Sequence, residues 1–310
     1  MKIQRATFLG VRGVTDVTLE LTDPRTNAPH GLVIFTGPSG SGKTRILEAM
    51  IAAKEAIGAF GPMTPGEPWI GAGSAAKIHL TFLLDEGERT FADTSSPSME
   101  AEVIFMEERA RVEAEEGLRA LLERYSHDPA QGKLEYFPAT RGIPRHPPYG
   151  GLGVAEQRIA RPAKDPRKYG FVVSFLRTLE FNRVAAEAFA ARLAALSPTC
   201  RYVARPLEDA EPRCLQSRGG PPVTPAELSD GEADAVLFAA TAVVIGLDHS
   251  IVFVDRPDLH LDDSVRLLGG LSALGQDNQL FIASGPELAA AAVGARLVPL
   301  REPGAAGPKG

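Results

Sequence analysis

The chain has 310 residues, of which 44% are hydrophobic and 23% are charged. This is the composition of a globular protein that buries a core, so it excludes wholesale disorder. The net charge of -6 disfavours nucleic-acid binding through overall charge. Two cysteines are too few for a disulfide scaffold.

The N-terminal residues lead into no apolar segment of the kind that signal peptides carry. The most apolar stretch, residues 233–247, includes Asp234 and Thr241 and is shorter than the roughly 18 apolar residues of a membrane span. Cys200 and Cys214 need not pair, which is typical of a reducing compartment. We therefore expect a cytoplasmic protein with no membrane partner.

In the first half of the chain, apolar periodicity predicts strands and two helices. The expected elements are two short strands in 2–22 around a turn at 10–13, a buried strand at 32–35, a helix over Lys43–Ile57, a hairpin of 77–82 with 88–91 around 85–87, and a charged helix at 106–125.

The second half alternates buried strands with helices. The expected strands are 133–137, 251–254, 279–283 and 296–300, and the expected helices are 172–196, 229–247, 264–274 and 286–293. A loop is expected at 138–166, and a loop with a short strand at 200–225. This order predicts an α/β fold. Its mixed sheet would have an antiparallel N-terminal part and a parallel core, flanked by helices.

A glycine-rich loop between the strand at 32–35 and the first helix fits the pattern G-x-x-x-x-G-K-[ST]. Its residues are Gly37, Pro38, Ser39, Gly40, Ser41, Gly42, Lys43 and Thr44. Glycines let consecutive N–H groups face phosphate oxygens, and the helix N-terminus adds partial positive charge. Lys43 can bridge the β- and γ-phosphates, and the Thr44 hydroxyl can ligate Mg²⁺. The loop, called the P-loop below, predicts binding of ATP with Mg²⁺; the alternative is a chance glycine-rich turn.

A P-loop site needs a second metal-holding carboxylate at the end of a neighbouring buried strand. Residues 251–254 are apolar, and Asp255 follows them. We expect Asp255 to lie near Mg²⁺ together with Thr44. The alternative is a core strand that ends in a capping aspartate.

Several segments resemble the RecF/SMC/OLD-like branch of ABC-type ATPases, which are heads without a transporter partner. Residues 228–232 (LSDGE) resemble the LSGGQ-type signature, and residues 255–262 (DRPDLHLD) resemble the Walker B and D-loop segment. Residues 8–13, 47–50 and 135–141 resemble the "NFRG"-like turn, the "LLEAI" segment and the "YxPAxR" segment of that branch. The resemblance spans 1–60 and 225–290 well and the middle loosely.

The resemblance implies a head that binds its own ATP and presents the signature segment to the ATP of a second head. Ser229, Gly231 and Glu232 would act in trans, and loss of the γ-phosphate would loosen the pair. A competing interpretation makes Ser229 an N-cap that Glu232 closes in a capping box, and both can hold at once. Arg12 would lie near the nucleotide. The alternative is that Arg12 belongs to an ordinary surface turn.

The same resemblance implies one head over residues 1–302. Residues 1–60 and 225–300 would form the nucleotide-binding core, and 61–224 would hold antiparallel strands, a helical lobe and a basic loop. Residues 303–310 are small and polar and are expected to be a flexible tail.

Two catalytic positions depart from the family pattern. Arg256 stands where a glutamate that polarises water is expected, and a guanidinium carries no acceptor for a proton. Residues 283–286 (ASGP) hold no switch histidine. Asp258 and His260 are weak substitutes, since both also match a "DEPELH" segment of the family. Gln157 is a candidate Q-loop residue by position only.

A basic stretch, 141–168, is a candidate surface for a nucleic-acid backbone, for an acidic partner, or for solvent alone. Its basic residues are Arg141, Arg145, Arg158, Arg161, Lys164, Arg167 and Lys168. Tyr149 and Tyr169 lie nearby in sequence.

Taken together, the sequence predicts a head that forms an ATP-sandwiched dimer, hydrolyses ATP slowly or only with a partner, and drives a partner or a DNA transaction. The partner would be a second copy, another ATPase head, or an effector such as a nuclease. The alternative is a hydrolysis-deficient, nucleotide-gated regulatory subunit of a DNA-repair or anti-phage defence complex.

Overall fold

The computed structural model describes residues 1–61, 69–107, 109–144, 158–204, 212–260 and 263–301. The chain divides into two compact units. Unit 1 comprises Met1–Tyr125, Ser250–Arg256 and Gln279–Gly310, and unit 2 comprises Ser126–His249 and Pro257–Asn278. Each unit is therefore built from segments that are distant in sequence.

Unit 1 holds two sheets and the helices that accompany them. Its strands are β1 (Lys2–Leu9), β2 (Val17–Glu20), β3 (Leu32–Thr36), β4 (Ala76–Leu83), β5 (Ser98–Phe105), β6 (Ala110–Ala114), β11 (Ile251–Asp255), β12 (Gln279–Ala283) and β13 (Arg296–Pro299). Its helices are α1 (Lys43–Ile57), α2 (Glu86–Phe91), α3 (Glu116–Glu123) and α8 (Pro286–Ala291). The antiparallel order β2-β1-β4-β5-β6 and the parallel order β13-β3-β12-β11 confirm the predicted mixed α/β fold.

The parallel strands of unit 1 are apolar on both faces, which is why they read as continuous hydrophobic runs in the sequence. Three phenylalanines from neighbouring strands stack in this sheet. The ring centroids of Phe35 and Phe281 lie 6.3 Å apart, and those of Phe253 and Phe281 lie 5.2 Å apart. All three side chains are buried. The parallel pairing of these strands places the carboxyl ends of β3, β12 and β11 at one edge of the sheet.

One glutamine joins the two sheets of unit 1. The pairing of β1 with β4 shifts register between Ile3 and Arg5. Gln279, the first residue of β12, accepts a hydrogen bond from Ile3 N (2.7 Å) and donates one to Ile3 O (2.9 Å). Both backbone groups of Ile3 are thereby satisfied by a buried amide, as burial demands.

Unit 2 is mostly helical. Its helices are α4 (Phe171–Thr178), α5 (Arg183–Leu196), α6 (Asp230–Ile245) and α7 (Ser264–Ser272). Its strands are β7 (Leu134–Phe137), β8 (Cys200–Tyr202), β9 (Leu215–Ser217) and β10 (Pro222–Val223), of which β10-β9-β8 form an antiparallel sheet. Helix α6 is buried almost along its whole length, as its continuous apolar sequence predicts.

Two predicted elements of unit 1 are wrong. Residues 88–91 do not pair with β4: they belong to α2, which begins at a capping box between Asp85 and Glu88, and β4 pairs with β5 instead. The helix expected at 106–125 is a strand, β6, followed by the short helix α3. Val112 is opposite Val103 of β5, so cross-strand pairing overrides the helical propensity of this charged segment.

The other boundaries agree closely with the sequence. Helix α1 and strand β12 have their predicted bounds, and the helix expected at 172–196 is divided into α4 and α5. Gln157, Arg145, Tyr149 and the tail 303–310 lie outside the described residues. No helix in the described ranges is long and apolar enough to cross a membrane.

Candidate nucleotide site

The P-loop connects β3 to α1 at the carboxyl edge of the parallel sheet in unit 1. Gly42 is the N-cap of α1, with a left-handed φ of 89°, and no side chain caps the helix. The first turn of a helix has backbone N–H groups without intrahelical acceptors, and these favour an anion. Lys43 Nζ donates to the carbonyls of Gly37 and Pro38, each at 2.7 Å, so the ammonium lies along the loop.

Thr44 and Asp255 meet in this site. The hydroxyl of Thr44, in the first turn of α1, donates to Asp255 Oδ1 at 2.9 Å. Because β12 lies between β3 and β11, the Thr44 side chain reaches Asp255 across the carboxyl end of β12. Asp255 is buried. A hydroxyl and a carboxylate thus lie together beside the P-loop.

The turn between β1 and β2 packs directly against the P-loop. A Cβ on Gly42 would lie 2.2 Å from the carbonyl oxygen of Gly13, so only glycine fits there. Arg12 lies in this turn with an exposed side chain, and its backbone N–H donates to Trp69 O at 2.8 Å. The guanidinium of Arg45, on α1, lies 4.2 Å from the Trp69 ring. The turn therefore places Arg12 close to the loop. No motif in the sequence pointed to Trp69.

The residues of this site fit a magnesium-bound triphosphate. Mg²⁺ prefers oxygen ligands and keeps several waters and phosphate oxygens, so it needs few protein ligands. Thr44 and Asp255 offer such oxygens. Ser41 is buried and its Oγ has no hydrogen-bond partner within the described ranges, which leaves a polar atom of the P-loop to be satisfied. No cluster of three or more His, Cys, Asp or Glu side chains in those ranges could hold a metal ion by itself.

Arg256 and Ser284 follow β11 and β12 at the same edge of the sheet. Arg256 is exposed and adopts a left-handed φ of 47°, and its N–H donates to Ala283 O at 2.8 Å. Ser284 is fully buried, and its N–H donates to Phe35 O at 3.1 Å. The Ser284 Oγ has no hydrogen-bond partner in the part of the chain that the structure describes. The sequence singled out both positions only as departures from a family pattern.

The signature segment begins α6 in unit 2. Ser229 is the N-cap and Glu232 closes a capping box: Ser229 Oγ donates to Glu232 Oε2 at 2.9 Å and accepts from Glu232 N at 3.4 Å. Ser229 is exposed and Glu232 is buried. Gly231 lies between them in the first turn and is half-buried.

Two residues that sequence reasoning missed hold Glu232: Ser217 of β9, and Thr199, which directly precedes β8. Ser217 Oγ donates to Glu232 Oε1 at 2.7 Å, and Thr199 Oγ1 donates to the same atom at 3.0 Å. Burial raises the pKa of Glu232, but hydrogen bonds from Ser217, Ser229 and Thr199 outweigh it and leave the pKa below its ordinary value. Glu232 is thus a buried carboxylate that fixes the first turn of α6 on its sheet.

Asp234, two residues further along α6, joins three segments of unit 2. Its Oδ2 accepts from Arg141 Nη2 at 2.7 Å and lies 3.1 Å from His260 Nδ1. Asp234 and Arg141 are buried. His260, one of the weak catalytic candidates, is therefore engaged by Asp234. Asp258, the other, is half-buried, and its Oδ1 has no hydrogen-bond partner among the residues described.

Among the described residues of the basic stretch 141–168, three cations lie inside the protein and cannot contribute to a surface for a nucleic-acid backbone. Arg141, Arg161 and Lys168 are buried. Arg161 pairs with Glu135 at 3.2 Å, and Lys168 lies 3.8 Å from the same carboxylate. Lys164 and Arg167 are exposed, and Arg167 pairs with its neighbour Asp165. The number of basic residues in a segment does not show which of them form ion pairs with carboxylates inside the protein.

No protein-family model and no curated protein sequence matches the chain. Solved structures of SMC head domains match it. An SMC head bound to the C-terminal winged-helix domain of ScpA has 14% identity and a TM-score of 0.57, over 97% of this chain and 95% of that one. The SMC head from Thermotoga maritima has 15% identity and a TM-score of 0.51, over 94% and 93%.

A third match is an SMC head with an extended coiled coil, bound to the C-terminal domain of ScpA, from Pyrococcus furiosus. It has 14% identity and a TM-score of 0.57, over 97% of this chain and 94% of that one. The chain has the fold of an SMC head. This is a P-loop NTPase fold of the ABC-ATPase type, as the sequence predicts. The narrower resemblance to RecF and OLD proteins stays a prediction.

Proposed function

We propose that the P-loop of unit 1 binds ATP with Mg²⁺ and that two such heads associate across the bound nucleotide. The contact between Thr44 and Asp255 carries the first half of this proposal. It joins residues 211 positions apart and brings together a hydroxyl and a carboxylate, which are oxygen ligands suited to Mg²⁺. The match to structures of SMC heads supports the same assignment.

Each residue of the site has a distinct task in this proposal. The N–H groups at the start of α1 and the Lys43 ammonium would bind the phosphates. The Thr44 hydroxyl would ligate Mg²⁺ directly, and Asp255 would hold it through water. Bound Mg²⁺ would neutralise phosphate charge. Arg12 would add a cation beside the loop.

Isothermal titration calorimetry with Mg-ATP tests the nucleotide half. We expect saturable binding to the wild-type chain and loss of binding in Lys43→Ala. Lys77→Ala is a matched control, because Lys77 lies in the same unit but pairs with Glu102 at the surface, 3.2 Å away. Absence of saturable binding to the wild type, or equal binding by Lys43→Ala, would contradict the proposal.

The exposed position of Ser229 supports the second half. A segment that meets the nucleotide of another subunit must lie on the surface, and Ser229 does. Its side chain is oriented by Glu232, which Ser217 and Thr199 hold in turn. The N-terminus of α6, which begins at Ser229, would favour an anion such as a terminal phosphate.

Multi-angle light scattering with saturating Mg-ATP tests dimer formation. We expect a monomer-to-dimer shift for the wild type and for Ser229→Asn, and none for Ser229→Asp or Ser229→Arg. Asn and Asp cap helices equally well, so this pair differs mainly in the charge brought against a phosphate. An unchanged mass of the wild type in Mg-ATP, or dimers formed equally by Ser229→Asp, would refute association through Ser229.

A second candidate function is a nucleotide-gated regulatory subunit with little turnover. Arg256 favours it, because a guanidinium beside Asp255 has no acceptor with which to take a proton from water. The gated partner would be a second head or an effector such as a nuclease in DNA repair or anti-phage defence. In a phosphate-release assay we expect slow turnover by the wild type and a gain in Arg256→Glu. Fast turnover that Lys43→Ala removes would exclude this candidate.

A further inference from the structure

Two polar residues at the edge of the parallel sheet in unit 1, Arg256 and Ser284, have no contact with the nucleotide in the scheme above. Ser284 directly follows β12, the strand between β3 and β11. The Thr44–Asp255 contact crosses the end of that same strand, so Ser284 lies at the edge that this contact spans. Its side chain is fully buried and its Oγ has no partner in the described ranges. Buried hydroxyls are almost always hydrogen-bonded, so this hydroxyl has a donor to offer to a bound group.

Arg256 lies at the neighbouring position of the same edge. Its left-handed φ of 47° is unfavourable for a residue with a side chain. The hydrogen bond from its N–H to Ala283 O, the residue before Ser284, holds it there. Such backbone strain persists only where the surrounding structure enforces it, and strained residues are most frequent at functional sites. The exposed guanidinium is thereby carried at the end of β11, one residue after Asp255.

The chemistry of this pair suits the end of a polyphosphate. A guanidinium offers up to five N–H donors to phosphate oxygens, and a serine hydroxyl offers one. Neither group is suited to activate water: the guanidinium has no acceptor, and the serine hydroxyl is a weak base. A terminal phosphate contacted by both would be bound tightly without gaining a general base.

We infer that Arg256 and Ser284 form the terminal-phosphate end of the nucleotide site and make it a site that retains the triphosphate. This inference rests on the proposed nucleotide binding and adds that the site distinguishes ATP from ADP through these two residues. Arg256 and Ser284 would bind the terminal phosphate at the position where a catalytic residue would otherwise activate water. The head would then remain in its triphosphate-bound state until a partner intervenes.

Equilibrium binding of Mg-AMP-PNP and Mg-ADP, measured by calorimetry, tests it. We expect Arg256→Ala to weaken AMP-PNP binding by about 10- to 100-fold, as loss of a charge-assisted hydrogen bond implies. The same variant should bind ADP within about twofold of the wild type, since ADP lacks the contacted group. Ser284→Ala should weaken AMP-PNP binding by about tenfold on the same grounds. Arg25→Ala, at another exposed arginine of unit 1, should change neither.

Arg256→Gly separates the guanidinium from the backbone. Glycine adopts positive φ without strain, so this variant should unfold at a higher temperature than Arg256→Ala while losing the same preference for AMP-PNP. Equal weakening of AMP-PNP and ADP, or an unchanged preference in both Arg256 variants, would overturn the inference. Lack of nucleotide binding by the wild type would instead refute the proposed function itself.

Discussion

The hydroxyl of Thr44 donates to the carboxylate of Asp255 across 2.9 Å, although 211 positions separate the two residues in the chain. Both belong to unit 1, in which β3 and β11 end at the same edge of the parallel sheet. A local motif and the end of a distant strand thus share one site.

The first prediction concerns the charge of Asp255. Asp255→Asn keeps an oxygen that can accept from Thr44 but removes the negative charge that Mg²⁺ requires. We expect ATP affinity in Mg²⁺ to fall by about 10- to 100-fold, the usual cost of an altered outer-sphere partner. Affinity in EDTA should stay unchanged. Calorimetric titration under both conditions checks this, and an equal loss in EDTA would mean that Asp255 serves the fold rather than the metal.

The second prediction concerns Gly42. Gly40 and Gly42 have similar left-handed φ values, 83° and 89°, but only at Gly42 would a Cβ meet a backbone oxygen, that of Gly13 at 2.2 Å. Gly40→Ala should cost about 1 kcal/mol of unfolding free energy through backbone strain alone. Gly42→Ala should cost at least about 2 kcal/mol, because the β1–β2 turn must move as well. Urea denaturation midpoints compare the two, and equal losses would disprove the close contact.

The third prediction concerns the buried pair of Arg141 and Asp234. Their side chains are 0% and 3% exposed, so Asp234→Ala leaves a buried cation without its carboxylate and should cost about 3–5 kcal/mol. Glu187→Ala removes the partner of Arg183 at the surface, where both side chains are more than half exposed, and should cost less than about 1 kcal/mol. Chemical denaturation measures both.

A double variant keeps this prediction testable if Asp234→Ala does not fold. Arg141→Met combined with Asp234→Leu replaces the ion pair by apolar side chains and should recover most of the lost stability. A double variant no more stable than Asp234→Ala would show that the cost does not arise from an uncompensated charge.

The fourth prediction concerns the pH dependence of stability. Burial lowers the pKa of Lys168 from 10.5 to about 7, with Glu135 opposing. Between pH 7 and pH 10 the unfolded chain therefore binds more protons at this residue than the folded chain, so folding becomes more favourable as pH rises. Relative to Lys168→Met, the wild type should gain up to about 1.4 kcal/mol per pH unit in this window. Below about pH 6 the difference should be constant.

Urea denaturation of both proteins from pH 6 to pH 10 measures the difference. The wild type and the variant have the same tyrosines and cysteines, which titrate in the same range. The difference in stability between the two proteins therefore removes the contribution of these groups. A difference that stays flat through pH 7–10, or that changes in the opposite direction, would show that Lys168 keeps an ordinary pKa in the folded protein.

The sequence by itself determined the elements that local patterns encode. The apolar run of β3, the glycines of the P-loop and the amphipathic α1 are contiguous, and the capping box of Ser229 with Glu232 spans four residues. Each depends on neighbours within one or two turns, so spacing alone is informative. The mixed sheet followed from the same local periodicity.

Only the tertiary structure decided which polar groups are paired and where. The ion pair of Arg141 with Asp234 spans 93 positions, and the bonds of Gln279 to Ile3 span 276. Such contacts are formed between segments that folding brings together, and no local pattern encodes them. The basic stretch therefore looked exposed in the sequence. The burial of Arg141, Arg161 and Lys168 depends on the carboxylates of Glu135 and Asp234, since a buried cation is stable only with a paired anion.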